Sequence, residues 1–145
     1  MIGADMGTDD KISASSKAPE PVGAYSHARR VGNLLFLAGI GPRVRGSGTI
    51  PGNVLNSQGE VVSHDIEAQC RQVFANVKGV LEEAGSNWEK IVDVTVFLTN
   101  IKADFDKYNK VYSEYFSATR PTRTTVEINR LPTPIAIELK IIAEI

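Results

Sequence analysis

The sequence predicts one α+β domain, a mixed sheet with two helices on one face. Three observations predict it. Two windows carry apolar residues at three- and four-residue spacing, the signature of helices with one buried face. Five short apolar or β-branched runs surround them and read as strands. The resulting order, strand, strand, helix, strand, helix, strand, strand, places helices on one side of a sheet.

Pro19 and Pro21 bracket an extended entry, after a polar stretch at 1–17 that is expected to be a mobile tail. Residues 24–30 and 34–38 read as two strands, with Gly32-Asn33 as the hairpin signal between them. Residues 39–59 form a long loop punctuated by Pro42, Gly46-Ser47-Gly48 and Pro51-Gly52. A loop of that length in a small domain is either functional or a tolerated surface insertion.

Residues 65–84 read as the main helix, with Ile66, Cys70, Val73, Val77, Val80 and Leu81 on its apolar stripe. Asp65 and Glu67 suit its positive end, and Gly85 is placed to stop it. Residues 91–98 alternate as a strand, with Val92, Val94, Val96 and Leu98 expected on one face. A second helix is expected over 103–117, with Phe105, Tyr108, Tyr112, Tyr115 and Phe116 as a core stripe. Asn109 and Lys110 are expected to be solvated. Residues 124–128 and 135–145 are the last strands, joined by the stiff Leu131-Pro132-Thr133-Pro134.

Composition limits the function classes. The formal net charge is −1, with no basic run, which argues against a nucleic-acid footprint. No apolar run approaches membrane-spanning length, and no secretory leader is evident. Cys70 is the sole cysteine and lies on a helix stripe, so a disulfide, a cysteine metal cluster and a thiol nucleophile are not expected. No ligand spacing predicts a metal. A reduced, cytoplasmic setting is the simplest expectation.

Several residues could carry chemistry. Arg123 precedes a β-branched run and could present its planar fork to a carboxylate; a plain surface arginine is the competing reading. Glu138 sits in an apolar strand, where a carboxyl must be paired, solvated or protonated. A raised pKa there suits general acid–base work, and an exposed sheet position is the alternative. Tyr25, His27 and Arg29 share one face of the expected first strand and could line an anion site or a polar outer face.

Seven segments in order resemble one family. They are Pro21–Ala28, Leu35-Phe36-Leu37-Ala38-Gly39, Gln69–Gly85 and Val94-Thr95-Val96-Phe97-Leu98. Tyr115-Phe116 with Arg120-Pro121-Thr122-Arg123-Thr124, then Arg130-Leu131-Pro132 and Ile135-Ala136-Ile137-Glu138, complete the set. They resemble the Rid/YjgF family over residues 18–145, read as a single domain. The resemblance implies a chorismate-mutase-like fold, a barrel-like homotrimer and sites between subunits. It implies hydrolysis of enamines and imines of amino acids, with no metal or organic cofactor. Arg123 matches the carboxylate-binding arginine, Glu138 the glutamate that positions or activates water, and Tyr25 the site tyrosine. Ala38, Gly39, Asn100, Tyr115 and Thr125 fall at positions expected around the substrate.

The match has departures. Many deaminating members have serine at Ala38 and cysteine at Thr125, and Asn100 lies near but out of register with the usual asparagine. The 39–59 loop, His27-Ala28-Arg29-Arg30 and Asn129–Leu139 resemble the 2-aminomuconate deaminase branch. A substrate with two carboxylates then needs a second cation, expected from His27, Arg29 or Arg43. A general 2-imino acid deaminase, a non-catalytic carboxylate-binding trimer and a ribonuclease remain the other readings.

Overall fold

The computed structural model describes residues 15–145. The strands are β1 (Ala28–Val31), β2 (Leu34–Leu37), β3 (Val54–Leu55), β4 (Val61–Ser63), β5 (Ile91–Leu98), β6 (Thr122–Glu127) and β7 (Ile137–Glu144). The helices are α1 (Ile66–Glu83) and α2 (Ile101–Phe116), with a 3₁₀ turn at Trp88–Lys90. The main sheet runs β1-β2-β7-β5-β6; only the β5–β6 pair is parallel, as the intervening α2 crossover permits.

Alternation along β5 and β7 builds the core. Val94, Val96 and Leu98 are fully buried, as are Leu139, Ile141 and Ala143 beside them. A register shift between Ile91 and Asp93 breaks the expected period: Ile91 enters the core and Val92 is 40% exposed. The helices cover this face. Asp65 caps α1 by accepting from the N–H groups of Glu67 and Ala68, a cap typically worth about 1 kcal/mol. Gly85, at φ 87°, takes the left-handed conformation that ends the helix.

The aromatic stripe of α2 packs as expected through Tyr108, Tyr112 and Phe116, but not through Tyr115. Tyr112 stacks on Phe116 with centroids 4.3 Å apart, and Phe116 stacks on Trp88 at 4.6 Å. Tyr115 is 37% exposed and leans on Phe74.

Two further expectations change, and the long loop finds its partners. Residues 24–27 form no strand: β1 begins at Ala28, the His27 carbonyl accepts a last bond from the Ala38 N–H, and a turn at Gly23–Tyr25 precedes it. The 39–59 loop is not free: Asn76 of α1 donates to the carbonyls of Gly41 and Arg43, and Gln69 donates to Asn53. It also contributes β3, which pairs with β4 in a hairpin the periodicity does not reveal. Ser15, Ser16 and Lys17, placed in the tail by sequence, are latched to Glu83. Four bonds to one carboxylate hold its pKa down, to about 2, chiefly through the Ser15 and Ser16 hydroxyls. The rest of the expected tail, residues 1–14, lies outside the described residues.

Among the described residues, no helix lies over the second face of the sheet. Leu34, Phe36, Phe97, Val126 and Ile142 lie there by register, interleaved with Thr95, Glu138 and Lys140. No helix among the described residues is long and apolar enough to cross a membrane.

Candidate active site

Two clefts carry the chemistry-bearing side chains. The first lies where the entry segment passes over β7 and is lined by Tyr25, Ala38, Gly39, Arg43, Ile135 and Glu138, among others. Residues 38–41 are pinned against β7 by a bridge in which Ile40 and Leu139 exchange backbone hydrogen bonds of 2.9 Å. This sets Gly39 directly over Glu138: a β-carbon at residue 39 would stand 2.7 Å from the Glu138 Oε2. A glycine here admits the carboxyl where any side chain would displace it.

Burial raises the Glu138 pKa, and among the described residues no hydrogen-bond donor offsets it. Lys140, two residues along the same face, donates to the Leu37 carbonyl, and burial lowers its pKa. The Tyr25 hydroxyl accepts from the Val22 N–H at 3.1 Å, and its ring is half exposed at the cleft.

The second cleft lies between α2 and β6 and is lined by Asn109, Tyr112, Arg120 and Arg123, with Ser113 and Pro121 at its sides. Arg123 stands beside Val94 in the β5–β6 register, so it points to the helix side of the sheet. Its guanidinium lies 4.6 Å from the Tyr112 ring centroid and 5.5 Å from that of Tyr108. One η nitrogen donates to Asn109 Oδ1 at 2.8 Å. Tyr108 in turn shares a 2.8 Å hydrogen bond with Thr125, two residues along β6. Burial raises both phenols, Tyr112 to about 12, so they face the arginine as neutral rings. The result is a cation held over two aromatic rings, with donor positions left for an incoming anion.

Sequence-selected residues therefore fall into three groups. Glu138, Tyr25, Ala38, Gly39 and Arg43 share the first cleft, and Arg123 and Thr125 belong to the second assembly. His27, Arg29, Asn100 and Tyr115 make other contacts in the single chain. His27 lines the first cleft, but its Nδ1 accepts from the Ser15 N–H and its Nε2 donates to the Pro19 carbonyl. Both ring nitrogens are thus spent on holding the entry segment. Arg29 lies on edge strand β1 beside Phe36 and lines neither cleft. Asn100 caps α2 through the Ala103 N–H. Tyr115 belongs to the Phe74–Trp88 cluster, its carbonyl accepting from Trp88. Asn109, expected to be solvated, is the residue that orients Arg123. Its signal was present in sequence: it precedes Tyr112 by three positions and so borders the aromatic stripe.

Comparison with known proteins shows the family and the fold. The family model for endoribonuclease L-PSP matches residues 15–145. A RutC family protein of Pyrococcus abyssi is 43% identical over 129 residues, covering 89% of this chain and 92% of that protein. The chloroplastic Reactive Intermediate Deaminase A of Arabidopsis thaliana is 34% identical, over 92% of this chain and 65% of its own length. The crystal structure of TdcF from E. coli with bound serine superposes with a TM-score of 0.79 at 30% identity, covering 93% and 98% of the two chains. The chain belongs to the endoribonuclease L-PSP family, whose members also carry the names Rid, YjgF and RutC.

Proposed function

We propose that this protein is a hydrolytic deaminase that releases ammonia from an enamine or imine acid, with 2-aminomuconate as its substrate, and that it works as a homotrimer. One observation carries the reading. An arginine with no carboxylate partner and a buried carboxyl with no hydrogen-bond donor among the described residues lie on opposite faces of the sheet. A second copy that brings its Arg123 cleft to the Glu138 cleft of the first completes the site. The half-apolar open sheet face is the surface such an assembly would cover.

The chemistry follows from the two clefts. Arg123 binds the carboxylate next to the reacting carbon and fixes the substrate's orientation. The enamine takes a proton on carbon and becomes an iminium ion, whose carbon is electrophilic. Glu138, its pKa raised by burial, can hold the proton that the attacking water gives up and pass it to the departing nitrogen. Collapse of the carbinolamine breaks the C–N bond, leaving a keto acid and ammonia. Tyr25 supplies a phenol at the same cleft. TdcF, the structural relative with bound serine, is consistent with a small carboxylate ligand.

The test is ammonia release from enzymatically generated 2-aminomuconate, beside 2-iminopropionate, with Arg123→Ala as control. Arg123-dependent preference for 2-aminomuconate supports the full proposal. Preference for the small imine replaces the substrate but keeps the reaction. No turnover of either rejects the deaminase. The ribonuclease reading rests on the family's name, and net charge −1 gives it little electrostatic support. Arg123-independent RNA cleavage by the same preparation would favour it.

A further inference from the structure

The Arg123 cleft holds a second arginine. Arg120 and Arg123 line it together, and no acidic residue does. Among the described residues, neither guanidinium has a carboxylate within ion-pair distance. Arg120 is also the one described non-glycine residue with positive φ, at 51°. It lies just beyond α2, and its N–H donates to the Phe116 carbonyl at 2.8 Å. Helices commonly end in this left-handed conformation, and the residue that takes it without steric penalty is glycine. An arginine here accepts local strain while adding a cation beside Arg123. Pro121 follows at once, fixing its own φ and stiffening the link to β6.

We infer that the α2–β6 cleft is built for a dianion, with Arg123 taking the carboxylate next to the reacting carbon and Arg120 the distal carboxylate of a dicarboxylic imine or enamine. This rests on the deaminase reading for the reaction, but not for the binding. It moves the second cation away from the residues that strand periodicity singles out. Both His27 ring nitrogens are engaged, and Arg43 donates to the Glu20 carbonyl in the other cleft.

The experiment compares calorimetric affinities of 2-oxoglutarate and 2-oxobutanoate for wild type, Arg120→Gly, Arg120→Ala and Arg43→Ala. Glycine suits the φ of residue 120, so Arg120→Gly is expected to melt no lower than wild type. It is expected to weaken the diacid about tenfold or more while leaving the monoacid within about twofold. A wild type that binds both acids equally overturns the inference. So does an Arg120→Gly protein that keeps its diacid preference, or a preference lost in Arg43→Ala instead. Turnover is read in parallel. Intact diacid selectivity with no ammonia release from any imine sinks the deaminase and leaves the dianion cleft standing; Arg123-dependent turnover unaffected at Arg120 does the reverse.

Discussion

Arg123 and Glu138 point to opposite faces of one sheet, with β5 lying between their strands. Arg123 stands beside Val94, which faces the helices, and Glu138 stands beside Phe97, which faces away. Both are second residues of their strands, and the proposed function requires two chains to bring them to one substrate.

Subunit complementation follows from that geometry. Arg123→Ala and Glu138→Gln proteins are each expected to be nearly inactive. Unfolded together and refolded as mixed oligomers, they should recover about a quarter of wild-type ammonia release, since that share of interfaces pairs an intact arginine with an intact glutamate. No recovery on mixing, with mixed oligomers verified by mass, would place both residues of a site in one chain.

Glu138 is expected to set a pH limb. Its folded pKa is raised above 4.5 by burial, so the folded state holds the proton more tightly than the unfolded chain. Its contribution to stability therefore turns unfavourable as pH rises from about 4.5 through the folded value. Glu138→Gln should melt no lower than wild type at neutral pH, lose mainly kcat and erase that limb from the kcat/KM profile. A mutant with unchanged kcat rejects the proton-handling role.

Gly39→Ala separates site geometry from stability. The new methyl would meet the Glu138 carboxylate at 2.7 Å, and the flexible end of that side chain can swing aside. The expected result is a change in Tm of a few degrees at most with kcat down about tenfold or more. Unaltered kinetics would show that Glu138 need not occupy its observed position.

Asn109→Ala removes the hydrogen bond that orients Arg123 while leaving the tyrosine floor in place. Losing a hydrogen bond to a charged group typically costs about 1.5–3 kcal/mol, so KM should rise about tenfold to a hundredfold. Asn109→Asp should also impair binding, because it would pair with the guanidinium and compete with the substrate carboxylate. Equal KM in wild type and Asn109→Ala would leave the positioning role without support.

The entry segment depends on Glu83. Its depressed pKa means that the latch is fully present above about 4.5 and is lost as pH falls through about 2. Glu83→Gln should speed hydrogen exchange at the Ser16 and Lys17 amides at neutral pH, and the difference from wild type should close at strongly acidic pH. Identical exchange at pH 7 would contradict the latch.

The sequence by itself determined the elements whose periodicity is long. Both helices, β5 and the order of the chain were legible because an 18-residue or 8-residue run repeats its burial signal several times. Glu138 stood out as a carboxyl inside an apolar strand, Arg123 as a guanidinium before a β-branched run and Tyr25 as a phenol on a strand face, while Gly39 was named only by the family resemblance. Only the tertiary structure decided how they combine. Register put Arg123 and Glu138 on opposite faces, and a one-residue difference in alternation is invisible until strands pair. Contacts between separate segments turned His27 into a structural anchor and Asn109 into the partner of Arg123, whereas Asn100 caps its own helix locally. The conformation of Arg120 likewise emerged only from the helix ending beneath it. Local pattern names which groups can do chemistry; packing between distant segments decides which of them are still available to do it.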